Sequence, residues 1–180
     1  MRRFAVALSC ALAVAAVTAG SAGSRTAKSA FEVFVEPTIT SASNGLLLES
    51  ELEGAFNVAD KTASGSGSYS LMAGTTVVDS GTFTLTRLVA FQFYGCGEVE
   101  TPDGPVSLPP DWCGGRVILA FHATSSSTGE QTDGLYEVNC QIHDPGGQAP
   151  PGTSEGIKAN ARGINFNRHV TGDNVFIMSP

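Results

Sequence analysis

Three histidines, a few charges set among apolar residues and four cysteines are what this 180-residue chain offers for chemistry. His122, Glu137 and Arg87 fall in apolar stretches, so they are the candidate polar groups of an apolar cavity. There an imidazole or carboxylate would act as a general base and a guanidinium would hold an anion. His122 fits a hydrogen-bonded core histidine, or one lining a cavity, better than a catalyst. His143 stands beside Asp144 at a strand end, and His169 lies in the polar run Asn165 to Val170. None of the three has the spacing of a metal site or a triad, so no catalytic residue and no metal ligand is assigned.

Gly152-Thr153-Ser154-Glu155-Gly156 matches the G-x-S-x-G pattern of a nucleophile elbow, which needs a strand before the serine and a helix after it. Pro150 and Pro151 precede it, strand-like sequence follows, and the one acid between Ser154 and His169 is the adjacent Glu155. The motif reads as a loop. Lys158, Asn160 and Arg162 alternate with Ile157, Ala159 and Ala161, which is the pattern of a solvated strand face or of an anion contact at a barrel mouth.

Met1 to Ala22 has the layout of a secretory signal peptide. Arg2 and Arg3 precede an apolar run from Phe4 to Val17, and small residues suited to cleavage follow. That run is shorter than the roughly 20 residues that cross a bilayer, and no membrane span is expected. Cleavage would remove Cys10 and two arginines, taking the formal charge from -7 to -9. Such an acidic secreted domain argues against nucleic acid as a partner.

The remaining cysteines, Cys96, Cys113 and Cys140, make an odd count in an oxidising compartment. Pairing Cys96 with Cys113 would tie off a Pro-rich loop and contribute about 3 kcal/mol by chain entropy. Pairing Cys113 with Cys140 is the rival. The unpaired thiol would permit an oligomer, and a zinc site of the three thiolates with His143 is disfavoured because no two cysteines have close metal-ligand spacing.

These residues must be positioned by strands. No apolar stripe of helical period persists for three turns, whereas Val, Ile, Phe, Thr and Tyr recur between clusters of Gly, Pro, Asn and Asp. Strands are expected at 31–36, 46–58, 67–72, 75–78, 82–94, 116–123, 135–143, 157–162 and 175–178. In the segment from Thr82, Phe83, Leu85, Val89, Phe91 and Phe93 share one face, interrupted by Arg87. Val117, Leu119 and Phe121 oppose Ile118, Ala120 and His122, as in a strand covered on both sides. Tyr136, Val138, Cys140 and Ile142 form an apolar row. The Gly/Ser stretch Ser64 to Ser70 reads as a turn or a flat edge strand.

The expected fold is all-β, a single antiparallel β-barrel or closed sheet, with a β-sandwich as the alternative. The last strand would dock into the sheet, behind a leader at 1–22 and a lead-in at 23–30, with one β domain over 31–180. The long loops 95–115 and 144–156 are the expected contact surface, with Trp112 and Tyr94 as an aromatic platform. The expected function is non-catalytic binding outside the cell, with no cofactor, toward a protein, a glycan or a small apolar ligand. A small barrel enzyme of cyclase or isomerase type is the alternative, and a self-assembling structural component the next.

Overall fold

The computed structural model describes residues 30–143 and 154–179. The expected leader and lead-in, and most of the second long loop, lie outside the described residues. Eleven strands are present among the described residues: β1 (Ala30–Ala42), β2 (Leu46–Asn57), β3 (Thr62–Ala73), β4 (Thr76–Cys96), β5 (Glu98–Thr101), β6 (Gly104–Ser107), β7 (Trp112–Ser125), β8 (Gln131–Cys140), β9 (Gly156–Ala161), β10 (Ile164–Thr171) and β11 (Asn174–Met178). Nine form one antiparallel sheet, and β5 with β6 forms a small hairpin inside the first long loop.

The sheet closes because β1 serves two partners on one edge. Its C-terminal half, Ile39 to Ala42, pairs with β10, and its N-terminal half, Phe31 to Val35, pairs with β11. Both partners run antiparallel to β1, so β11 continues β10 past a break at Gly172 and Asp173. One circuit runs β1-β2-β3-β4-β7-β8-β9-β10 and has eight strands. A shorter circuit replaces β8, β9 and β10 with β11, which meets β7 through Phe176 opposite Cys113 and Ile177 opposite Trp112. Because barrel diameter grows with strand number, the wall narrows from the eight-stranded end to the six-stranded end.

Aromatic rings fill the narrow end. Phe31, Phe56 and Phe91 stand with their centroids 4.9 to 5.2 Å apart, and Phe176 meets Phe56 edge-on at 5.8 Å. Offset and edge-to-face pairs of this kind stabilise beyond their buried area. The alternating apolar rows read from sequence face inward: Val117, Leu119 and Phe121 on β7, and Tyr136, Val138 and Cys140 on β8, are all buried.

Several expectations are revised. On β4 the pairing with β7 slips between Leu85 and Arg87 and again between Leu88 and Ala90. Each slip adds one unpaired residue and reverses the phase of the side chains beyond it. Leu88 therefore turns inward and is buried, while Arg87 is exposed, and Phe93 is 43% exposed at the narrow rim. β7 is not covered on both sides, because Ile118, Ala120 and His122 are only half-buried on its outer face.

The Gly/Ser stretch is neither a turn nor an edge. It is the middle of β3, between β2 and β4. Gly67 sits opposite Phe83, whose ring occupies the space a Cβ would need, and Gly134 of β8 stands in the same relation to Phe121. Glycine is required there so that a cross-strand ring can lie flat on the backbone. The polar run Asn165 to Val170, in which His169 lies, is strand β10.

Candidate functional site

The wide end of the barrel holds an open-mouthed cavity of about 100 Å³. Leu71, Phe83, Phe121, Ala159, Ile164 and Phe166 are among the apolar residues lining it. They come from β3, β4, β7, β9 and β10, whose inward positions are set by the two-residue period of each strand. Small residues on β9 and at the end of β7, Ala159, Ala161 and Ala123, leave the space open where the narrow end carries phenylalanines.

Two polar groups lie deep in the lining. Ser50 of β2 and Tyr136 of β8 are both buried, and their hydroxyls are 2.9 Å apart across the barrel. Burial pushes the Tyr136 phenol well above the usual tyrosine value, against the smaller opposing effect of its bond to Ser50, so the phenol keeps its proton.

The mouth carries the charges. Arg162 Nε donates to Thr132 Oγ1 at 2.7 Å, and its guanidinium pairs with Glu130 at 3.0 Å. Arg162 and Gly163 form the two-residue turn between β9 and β10, with φ of 50° and 74°. Both values match the type I′ hairpin, a geometry that favours Asn or Gly over Arg. On the other side Asp79 accepts from Ser125 Oγ at 2.7 Å, from the Ser80 amide at 2.9 Å and from Tyr69 OH at 3.1 Å. The bond from Ser125, helped by those from Tyr69, Ser80 and Ser127, holds the Asp79 carboxyl below its ordinary range although burial opposes this.

The sequence-derived candidates lie elsewhere. Arg87, His122 and Glu137 do not line the cavity; all three are on the outer wall. Glu137 bridges Arg116 at 2.6 Å and Lys158 at 2.9 Å across β7, β8 and β9. Burial raises its pKa, but the hydrogen bonds from Arg116 and Lys158 outweigh that and hold it low. His122 Nδ1 is 2.8 Å from Asp133 Oδ1, its register partner on β8. Lys158 thus belongs to a solvated face, whereas Arg162 is at the mouth because the turn carries it there.

The aromatic platform is not formed either. Trp112 is 38% exposed, but Tyr94 is fully buried and its hydroxyl donates to Asn139 Oδ1 at 2.8 Å. Trp112 and the β5–β6 hairpin stand at the narrow end, opposite the cavity. Ser50, Tyr136, Asp79 and Tyr69 were not singled out from sequence. Ser50 and Tyr136 are separated by 86 positions, and only barrel closure brings them together.

Cys96 and Cys113 form a disulfide, as the loop argument expects. Cys140 is free and buried, so its sulfur offers no surface for a bond between copies. Burial pushes its thiol up to about 12, with the nearby Glu155 adding to the rise. A thiol kept protonated and covered is inert. A chain starting at Gly23, which lacks Cys10, should therefore give no fast signal with a thiol-reactive chromophore at pH 8 when folded, and one thiol should appear only in denaturant. Rapid native labelling would contradict the burial. No group of metal-ligating side chains occurs among the described residues.

Scans against protein-family models, curated proteins and solved structures each give no match to this chain.

Proposed function

We propose that this chain is an exported, non-catalytic binding domain that holds a small apolar molecule in the wide end of its barrel. The observation that carries this reading is the taper: the same wall is packed solid by phenylalanines at six strands and left hollow at eight. Apolar cavities near 150 Å³ take up benzene-sized guests, on the order of the space here. A buried disulfide half-cystine and the lack of any described helix long and apolar enough to cross a membrane are compatible with an extracellular setting.

Binding is favoured over the isomerase alternative because the polar groups deep in the lining are the paired hydroxyls of Ser50 and Tyr136, while the carboxylates at the mouth are engaged, Glu130 by Arg162 and Asp79 by Ser125. Tyr136 stays protonated, and the hydrogen bonds on Asp79 make it a weak base. The proposal is tested by titrating the protein with ethylbenzene and following methyl and aromatic proton resonances. Saturable shifts at Leu71, Phe83 and Ile164, lost in a cavity-filling Ala159→Leu variant, are expected. Absence of any saturable shift at those residues would overturn the reading.

A further inference from the structure

The two deep hydroxyls leave a donor to be accounted for. Ser50 and Tyr136 each carry one O–H, and among the described residues each hydroxyl has only the other as a hydrogen-bond partner. Whichever donates to its neighbour, the second proton finds no acceptor. Both side chains are more than nine-tenths buried, and both line the cavity. An unmet buried donor is costly, so a site with this arrangement favours a guest that brings the missing acceptor.

The charges at the mouth restrict that guest further. Asp79 and Glu130 place two carboxylates there against one guanidinium, Arg162, which Glu130 already engages. An anionic head group would meet a net negative rim on entry. It would then have to lose its hydration beside residues such as Phe83, Phe121 and Ile164, with no cation among the deep lining residues. A neutral oxygen faces neither penalty.

Resting on the binding function proposed above, we infer that the cavity selects neutral apolar molecules bearing one acceptor oxygen, such as a ketone, aldehyde or ester carbonyl. That oxygen accepts the hydrogen bond that the Ser50–Tyr136 pair has free. The apolar body lies against Phe83, Phe121, Ile164 and Phe166. Ser50 and Tyr136 are thus specificity-determining residues, and the small cavity limits the guest to about one ring.

The test compares acetophenone, ethylbenzene and benzoate on the native protein and on a Ser50→Ala/Tyr136→Phe variant. Replacing both partners by apolar groups of similar shape is close to neutral for folding, and circular dichroism confirms that the variant keeps its sheet. The ratio of acetophenone to ethylbenzene affinity cancels the cavity contribution common to both, and its change between the two proteins isolates the hydroxyl pair. It should fall about tenfold in the variant. Benzoate should bind at least tenfold more weakly than acetophenone. An unchanged ratio, or benzoate binding tighter than acetophenone, would overturn the selectivity and leave the binding function standing. If ethylbenzene and acetophenone both fail to bind the native protein, the binding function itself fails. Should the variant not fold, Tyr136→Phe and Ser50→Ala are measured singly, each expected to lower the ratio several-fold and each refuting the inference if it does not.

Discussion

Phe176→Ala should lower stability by about 3–5 kcal/mol and the melting temperature on the order of 10 °C. Phe176 is fully buried, and its ring meets Phe56 at 5.8 Å and Phe91 at 6.1 Å. It also belongs to the strand that joins β1 to β7, so the cavity left by truncation opens at the seam of the shorter circuit. Surrounding rings packed from three other strands have little room to relax, and unrelaxed cavities lie at the costly end of the range. Urea unfolding with an unchanged slope would report the loss directly. A loss under about 1 kcal/mol would show that the narrow end is not packed as described.

Glu155→Gln should stabilise the protein at pH 8 and leave it nearly unchanged at pH 4. Glu155 stands just before strand β9. Burial raises its pKa from an ordinary 4.5 to about 7, and Asp173 adds to the rise. The amides of Gln141 and Asn174 act in the opposite sense. One carboxyl oxygen, Oε1, is buried with no partner among the described residues, as are His169 Nδ1 and Asn174 Oδ1.

The folded state therefore holds a proton that the unfolded chain releases, so stability declines as pH rises from about 4.5 and levels off above about 7. The shift is worth on the order of 3 kcal/mol between those limits. Glutamine keeps an acceptor for the Gln141 amide, now 2.7 Å from Oε2, and carries no charge to bury. Denaturation midpoints across pH 4 to 8 should slope downward in the native chain and flatten in the variant. Parallel pH profiles would refute the account.

The two-residue rhythm of β7 and β8 was legible because both strands keep their pairing unbroken over ten positions, from Gly115 opposite Cys140 to Thr124 opposite Gln131. Nothing disturbs the alternation there. The disulfide was legible for a related reason, since a meander of β4 and β7 must return Cys113 to Cys96. On β4 the rhythm misled. Its two slips around Arg87 and Val89 leave no trace in hydrophobicity, and a charge in phase with Phe83 and Leu85 was read as facing inward.

The deep hydroxyl pair was invisible for another reason. Ser50 lies among Leu, Glu and Gly, and Tyr136 reads as one more member of an apolar row. Their partnership exists only across a closed wall. The same holds for β10, whose inward residues Ile164 and Phe166 are too few to announce a strand.

The pairing of Phe31 with Met178 sets a schedule for folding. A chain made or delivered from its amino end presents β1 early, yet one flank of that strand stays bare until β10 and β11 arrive. Loop closure over such a span is slow, and the waiting sheet is open to pairing with other chains. A holding factor that shields the β1 flank would thus raise the yield of closed barrel more than anything that speeds the local hairpins.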